Sequence, residues 1–143
     1  GNAASLGDLL LKNMAGEFSI VQGIFYWQKS GEQVYRPEAS YALVREENTP
    51  PVHPGTGLTG QAAADGKVVV IHPVPENYGV VASGLGQSSP AYVYIVPFVF
   101  EGKTMAILEV STFRPIENDG FTALEMITTT GGLLMNEMNN LNA

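Results

Sequence analysis

The chain has 143 residues, 45 % of them hydrophobic and 15 % charged, with a net charge of −7 and no cysteine. This length and composition give one globular domain with its own core, and exclude both a disordered chain and a disulfide-stapled scaffold. Lack of cysteine excludes thiol nucleophiles, thiolate metal sites and thioether-linked chromophores and fits a reducing, cytoplasmic setting, while seven singly spaced Lys and Arg offer no basic stripe to nucleic acid or an anionic membrane.

Gly1 stands where methionine would begin a natural chain, and is read as a tag scar on a fragment of a longer protein. The first predicted element is a helix over 6–15. Ser5 and Asp8 form its capping box, Leu6, Leu9, Leu10 and Met14 share one face, and Gly16 stops it. A strand hairpin is expected over 18–45, from the aromatic and β-branched run FSIVQGIFYWQ and its return VYRPEASYALV. Pro37 has no N–H for a ladder, so that second strand belongs at a sheet edge.

Residues 55–66 read as a glycine turn and short helix, and 67–71 as a strand. The Gly-, Pro- and Ser-rich stretch 72–91 reads as a lid over a binding pocket. A second hairpin spans 92–113, its runs separated by Glu101 and Gly102. Both runs are apolar at odd and even positions, so both faces are covered. Tyr92, Tyr94, Val96, Phe98 and Phe100 point one way and Val93, Ile95 and Val99 the other, with a local bulge expected at Pro97. The longest apolar run, YVYIVPFVF, is too short to span a bilayer.

A terminal helix is predicted over 119–141, with Asp119 as its N-cap. Leu124, Ile127, Gly131, Leu134, Met138 and Leu141 follow steps of three and four residues. That stripe fits a dimer interface, where Gly131 would admit a partner helix, and it equally fits core contact with the sheet. The order of elements gives an α+β domain, a central antiparallel sheet of five to six strands with N- and C-terminal helices on one face and a loop-covered pocket on the other.

Gly55, Gly57 and Gly60 match the spacing G-x-G-x-x-G of dinucleotide-binding folds. That reading needs a preceding parallel strand and a following long helix. Here REENTPPVHP precedes, and Gly66 ends the helix early, so the glycines are assigned to turn and packing geometry. With its context, GTGLTGQAAADGKVVVI resembles the hallmark of GAF domains, a Gly-x-Gly-Leu turn, a short helix ending in glycine, then a strand. AYVYIVPFVFEGKTMAILEVSTF is similar to that family's closing hairpin, with a proline in its first strand and an acid late in its second. PAS domains share the five-stranded sheet and helical ends, though not the glycine turn.

The resemblance implies a GAF domain acting as an input or dimerisation module of a bacterial signalling protein, cytoplasmic and non-catalytic. It implies a homodimer through the terminal helices and a covalently linked effector domain, of histidine kinase or cyclase type, such as a two-component system uses. The cyclic-nucleotide signature of phosphodiesterase GAF domains is absent, and bilin attachment and methionine sulfoxide reduction both need cysteines. No cofactor and no metal is expected; a small unidentified ligand is. An alternative is a pure dimerisation or spacer unit whose pocket is filled by Phe25, Tyr92, Tyr94, Phe98 and Phe100.

The candidate ligand-binding residues are Tyr78, Ser83, Tyr92, Tyr94, His72 and Glu109. The tyrosines and Ser83 supply an apolar lining with convergent hydroxyls, and equally suit core aromatics with a wet tip. Glu109 interrupts the apolar strand MAILEV, so burial obliges it to find a donor, from a ligand or from a nearby backbone group. His72 ends its strand, where a hydrogen bond to a backbone carbonyl competes with ligand contact.

Overall fold

The computed structural model describes residues 2–42, 49–75, 81–83, 86–88 and 90–141. In chain order the elements are α1 (Asn2–Phe18), β1 (Gln22–Trp27), β2 (Arg36–Tyr41), α2 (Gly57–Asp65), β3 (Val69–Ile71), β4 (Val81–Ser83), β5 (Gly86–Ser88), β6 (Tyr92–Phe100), β7 (Lys103–Thr112) and α3 (Asp119–Leu141). Five strands form one antiparallel sheet in the order β2-β1-β7-β6-β3, and β4 pairs with β5 apart from it.

The doubly apolar run puts β6 and β7 in the interior of the sheet. Glu101 and Gly102 join them with φ of 49° and 78°, the left-handed pair that a two-residue type I′ turn requires. Alternation then feeds two cores. Phe25, Tyr94, Val96, Phe98, Leu108 and Val110 point toward α1 and α3, and Ile24, Tyr26, Val93, Ile95 and Ile107 toward α2. Phe25 and Phe98 meet at 5.6 Å, and of the expected pocket-filling aromatics Phe25, Tyr94 and Phe98 lie in the helix-side core, with Tyr92 packed against it. Pro37 sits on the edge strand β2 opposite Tyr26, beside a register shift between Phe25 and Tyr26.

Several expectations are corrected. The first helix starts at Asn2, so Ser5 lies inside it rather than capping it, and Gly16 does not stop it. Buried Ala3 and Gly7 extend the stripe of Leu11 and Met14 back by two turns, a small-residue contact that a search for large apolar side chains misses, while Leu9, expected on the buried face, is exposed. The left-handed Ser19, φ 55°, follows the helix end. The 72–91 stretch holds the β4–β5 hairpin.

Pro97 pairs regularly with Ile107, and the bulge falls between Phe98 and Val99, where Met105 of β7 is the extra residue. The pairing of β3 with β6 ends at Ile95, two residues before the proline. The bulge turns Thr104 toward α2, where its hydroxyl donates to Ala63 O at 2.7 Å.

The α3 stripe divides. Leu124 is fully buried against the sheet, and Ile127 and Met138 are partly buried on the same core. Leu134 and Leu141 remain 41 % and 80 % exposed, and Met126 and Leu133 are exposed as well. Gly131 serves the sheet. A Cβ there would press on the Phe98 ring, and one at Gly132 would strike the backbone of Val99. Two adjacent glycines thus let α3 lie directly on β6. Among the described residues no helix is long and apolar enough to cross a membrane.

Candidate functional site

On the α2 face, a cleft of about 480 Å³ opens between β1, β7 and the segment 49–59. Alternation along β7 places Glu109 and Ser111 in it together, and β1 adds Gln22, Ile24 and Tyr26. The opposite wall is Thr49 to His53. It is pinned by a bridge in which Tyr35 and Val52 exchange both backbone hydrogen bonds, at 2.9 and 2.8 Å. Tyr35 is itself anchored, its hydroxyl donating to Thr104 O at 2.8 Å.

The glycine turn shapes the rim. Gly55 and Gly57 have φ of 79° and 70°, conformations that an L side chain resists. Gly60 is buried under the turn, where a Cβ would collide with the carbonyl of His53. Gly55 N–H donates to Gly60 O at 2.7 Å and Thr56 N–H to His53 O at 3.1 Å, folding the turn onto its own helix. No side chain caps α2, and its first turn, Gly57 to Thr59, faces the cleft. At the other end the left-handed Gly66 closes it, donating to Ala62 O.

Glu109 lies at that first turn. Thr59 Oγ1 donates to Glu109 Oε1 at 2.7 Å, the strong class of bond that a carboxylate accepts. The positive end of α2 adds about 0.3–1 kcal/mol for a negative charge so placed. Glu109 in turn acts on Tyr26. Burial first, and the carboxylate second, push the Tyr26 hydroxyl well above its ordinary range and keep it neutral. Among the described residues no Lys or Arg lines the cleft.

Of the candidate ligand residues whose side chains are described, Glu109 alone lines the cleft. Tyr94 is 1 % exposed in the helix-side core, and its hydroxyl accepts from Ile116 N–H at 2.6 Å. Tyr92 lies on that same face, stacked on His72 with ring centroids 4.1 Å apart. His72 Nδ1–H donates to Ala91 O at 2.8 Å, joining the two ends of the 72–91 segment. Ser83 is in β4, and Tyr78 falls outside the described residues. Among the described residues, the cleft wall is the 49–59 segment, and nothing from 72–91 lines it.

Sequence reading missed Thr59, Tyr26, Gln22, Ser111 and the 49–53 wall. One signal was available for Ser111, which is two residues from Glu109 and so shares its strand face. Nothing local reveals that Thr59, 50 positions away, supplies the donor. Among the described residues no three His, Asp or Glu side chains are grouped to hold a metal ion.

The family model of the GAF domain matches residues 3–135. No curated protein matches the chain. Similar solved structures include the GAF domain of a phosphoenolpyruvate-protein phosphotransferase from Coxiella burnetii, at TM-score 0.77 and 10 % identity, covering 98 % of this chain and 86 % of that one. The second GAF domain of DevS from Mycobacterium smegmatis aligns at TM-score 0.75 and 9 % identity, covering 98 % and 97 %. The GAF domain of a two-component sensor histidine kinase from Bacillus halodurans aligns at 0.65 and 10 %, covering 95 % and 97 %. At such identities these likenesses speak for the fold alone. Together with the family match they agree with the glycine turn, the closing hairpin and the five-stranded sheet: this chain belongs to the GAF domain family, whose members generally serve as regulatory or sensory domains.

Proposed function

We propose that this chain is a non-catalytic sensory domain of a longer, cytoplasmic signalling protein, and that it binds a small molecule in the Glu109 cleft. The observation that carries the reading is the Thr59–Glu109 hydrogen bond at the base of a cleft of about 480 Å³. That volume suits a metabolite-sized ligand, and the lining joins apolar walls to a few fixed polar groups. Glu109 and the side-chain hydroxyl and amide groups of the lining can accept a ligand's hydrogen-bond donors. Ligand bound between Glu109 and the 49–59 wall would bias the packing of α1 and α3, through which a homodimer passes its signal to a linked histidine kinase or cyclase. Two packings a few kcal/mol apart suffice for such a switch.

A spacer without a ligand is the alternative. Of the aromatics expected to plug its pocket, Phe25, Tyr94 and Phe98 lie in the core on the opposite face of the sheet and Tyr92 packs against that core, and neither these nor Phe100 line the cleft. A thermal-shift panel of amines, amino acids, nucleosides and organic acids distinguishes the two. A donor-bearing compound should raise the melting temperature of the wild type, and Glu109→Gln should lose that response. If no compound acts on the wild type, the sensing proposal fails and the spacer reading stands.

A further inference from the structure

The seven basic residues are scattered in sequence, yet Lys29, Arg36 and Lys103 gather at one end of the sheet. That end is opposite the Glu109 cleft, where β1 finishes and β7 begins. A cavity of about 100 Å³ is lined there by Gln28, Lys29, Ser30, Glu32, Lys103 and Asn139. At about 30 Å³ per water it holds some three waters, or one small oxyanion. Its single carboxylate is already engaged, because Arg36 Nε meets Glu32 Oε2 at 2.9 Å. Among the described residues neither Lys29 nor Lys103 forms a salt bridge. In a chain of net charge −7, this polar hollow is thus lined by two lysines and by one carboxylate that Arg36 already pairs.

Both lysines stand on defined turns. Glu32 N–H donates to Lys29 O at 3.0 Å, and Gly31 at φ 88° closes that turn. Lys103 follows directly on the turn at Glu101 and Gly102. Their ammonium groups add donors to those of Ser30, Gln28 and Asn139, and donors around an anion are what desolvation of that anion demands.

We propose that this cavity is a second ligand site, for a small dianionic oxyanion of which inorganic phosphate is the simplest. Occupancy would tie the β1–β2 turn and Lys103 to Asn139 in the last turns of α3. The competing role for the lysines is to offset the negative end of α3, which has no basic residue in its own last turn.

The test is a titration of this chain with sodium phosphate, followed by amide NMR shifts, against sodium chloride at matched ionic strength and against sodium acetate. The proposal expects saturable shifts confined to residues 28–32, 103–105 and 139, with phosphate binding more tightly than acetate. Lys29→Met with Lys103→Met should weaken phosphate about tenfold or more, from the lost charge-assisted bonds, and the matching pair of Arg substitutions should retain it. Ser30→Glu, on an exposed turn, should block the site and leave the fold intact, which keeps the test decisive if the double Met variant fails to fold. Chloride reproducing the shifts, or undiminished phosphate binding to Ser30→Glu, would overturn the site. So would a wild type without saturable shifts, in which removing the lysines only lowers the melting temperature equally in both salts.

Discussion

Replacing Gly132 with alanine separates two roles for the glycine pair of α3. An added Cβ would meet the carbonyl oxygen and carbon of Val99, and its amide nitrogen at 2.7 Å. Backbone in the interior strand β6 cannot swing aside as a side-chain tip can, so α3 must lift from the sheet. That lift loosens Leu124 and Met135, both fully buried beneath it. Alanine favours the helix by about 1 kcal/mol, whereas overpacking costs about 1–3 kcal/mol and each loosened large side chain forfeits part of about 1.5–3 kcal/mol of burial. The clash dominates, and we expect a net loss of about 1–3 kcal/mol. At about 3 °C per kcal/mol for a domain of this size, the melting temperature falls by roughly 3–10 °C. The control is Gly16→Ala, a helical position with nothing within 4 Å of the added carbon, which should be neutral or stabilising by up to about 1 kcal/mol. Urea unfolding at several protein concentrations measures both. A Gly132→Ala variant as stable as the control would refute the packing argument, and a loss that appears only at concentrations where the protein self-associates would return the glycine to a helix–helix interface.

Thr59→Val removes the donor to Glu109 while keeping the side-chain shape, and should cost about 1–2 kcal/mol in urea unfolding. Leu124→Ala should destabilise the domain by about 2–5 kcal/mol without changing its sedimentation behaviour below the unfolding range, whereas Leu134→Glu with Leu141→Glu should leave stability within about 0.5 kcal/mol and abolish any self-association. Tyr26, Tyr35 and Tyr94 all have hydroxyls pushed up, chiefly by burial, so ultraviolet titration of the folded protein should find at least three tyrosines ionising above the ordinary range. The sign follows from their raised folded values. These groups lend full stability below the ordinary tyrosine value near 10, and that stability is lost as pH climbs beyond it, at up to about 1.4 kcal/mol per pH unit for each. Stability that is flat above pH 10 would contradict their burial.

Helical and strand periods, turn glycines and edge proline are local quantities, and the features resting on them could be read directly. The positive φ at Gly102 was legible because a two-residue link between apolar runs leaves few turn types. The edge position of β2 was legible because Pro37 lacks a donor. Two apolar faces on β6 and β7 implied cover on both sides, and the two cores supply it. The α+β class, the antiparallel sheet and the GAF resemblance all rest on signals of this kind.

The site was less legible, because its parts join across distance. Glu109 is conspicuous as an acid in an apolar strand, but its partner Thr59 reaches it only when α2 docks across the sheet. Tyr92 and Tyr94 sit beside the supposed lid in sequence, and strand alternation sends them to the face opposite Glu109. The terminal stripe has one period and two fates, since Leu124 meets the sheet and Leu141 meets solvent. What the chain alone determined is the three helices, the five strands of the main sheet and the faces the sheet must bury, through bond geometry and hydrophobic period, while the β4–β5 hairpin was not read from it. Which face holds a cleft, which glycine admits which neighbour and where the lysines collect were decided only by tertiary packing, because each depends on atoms brought together by the whole sheet.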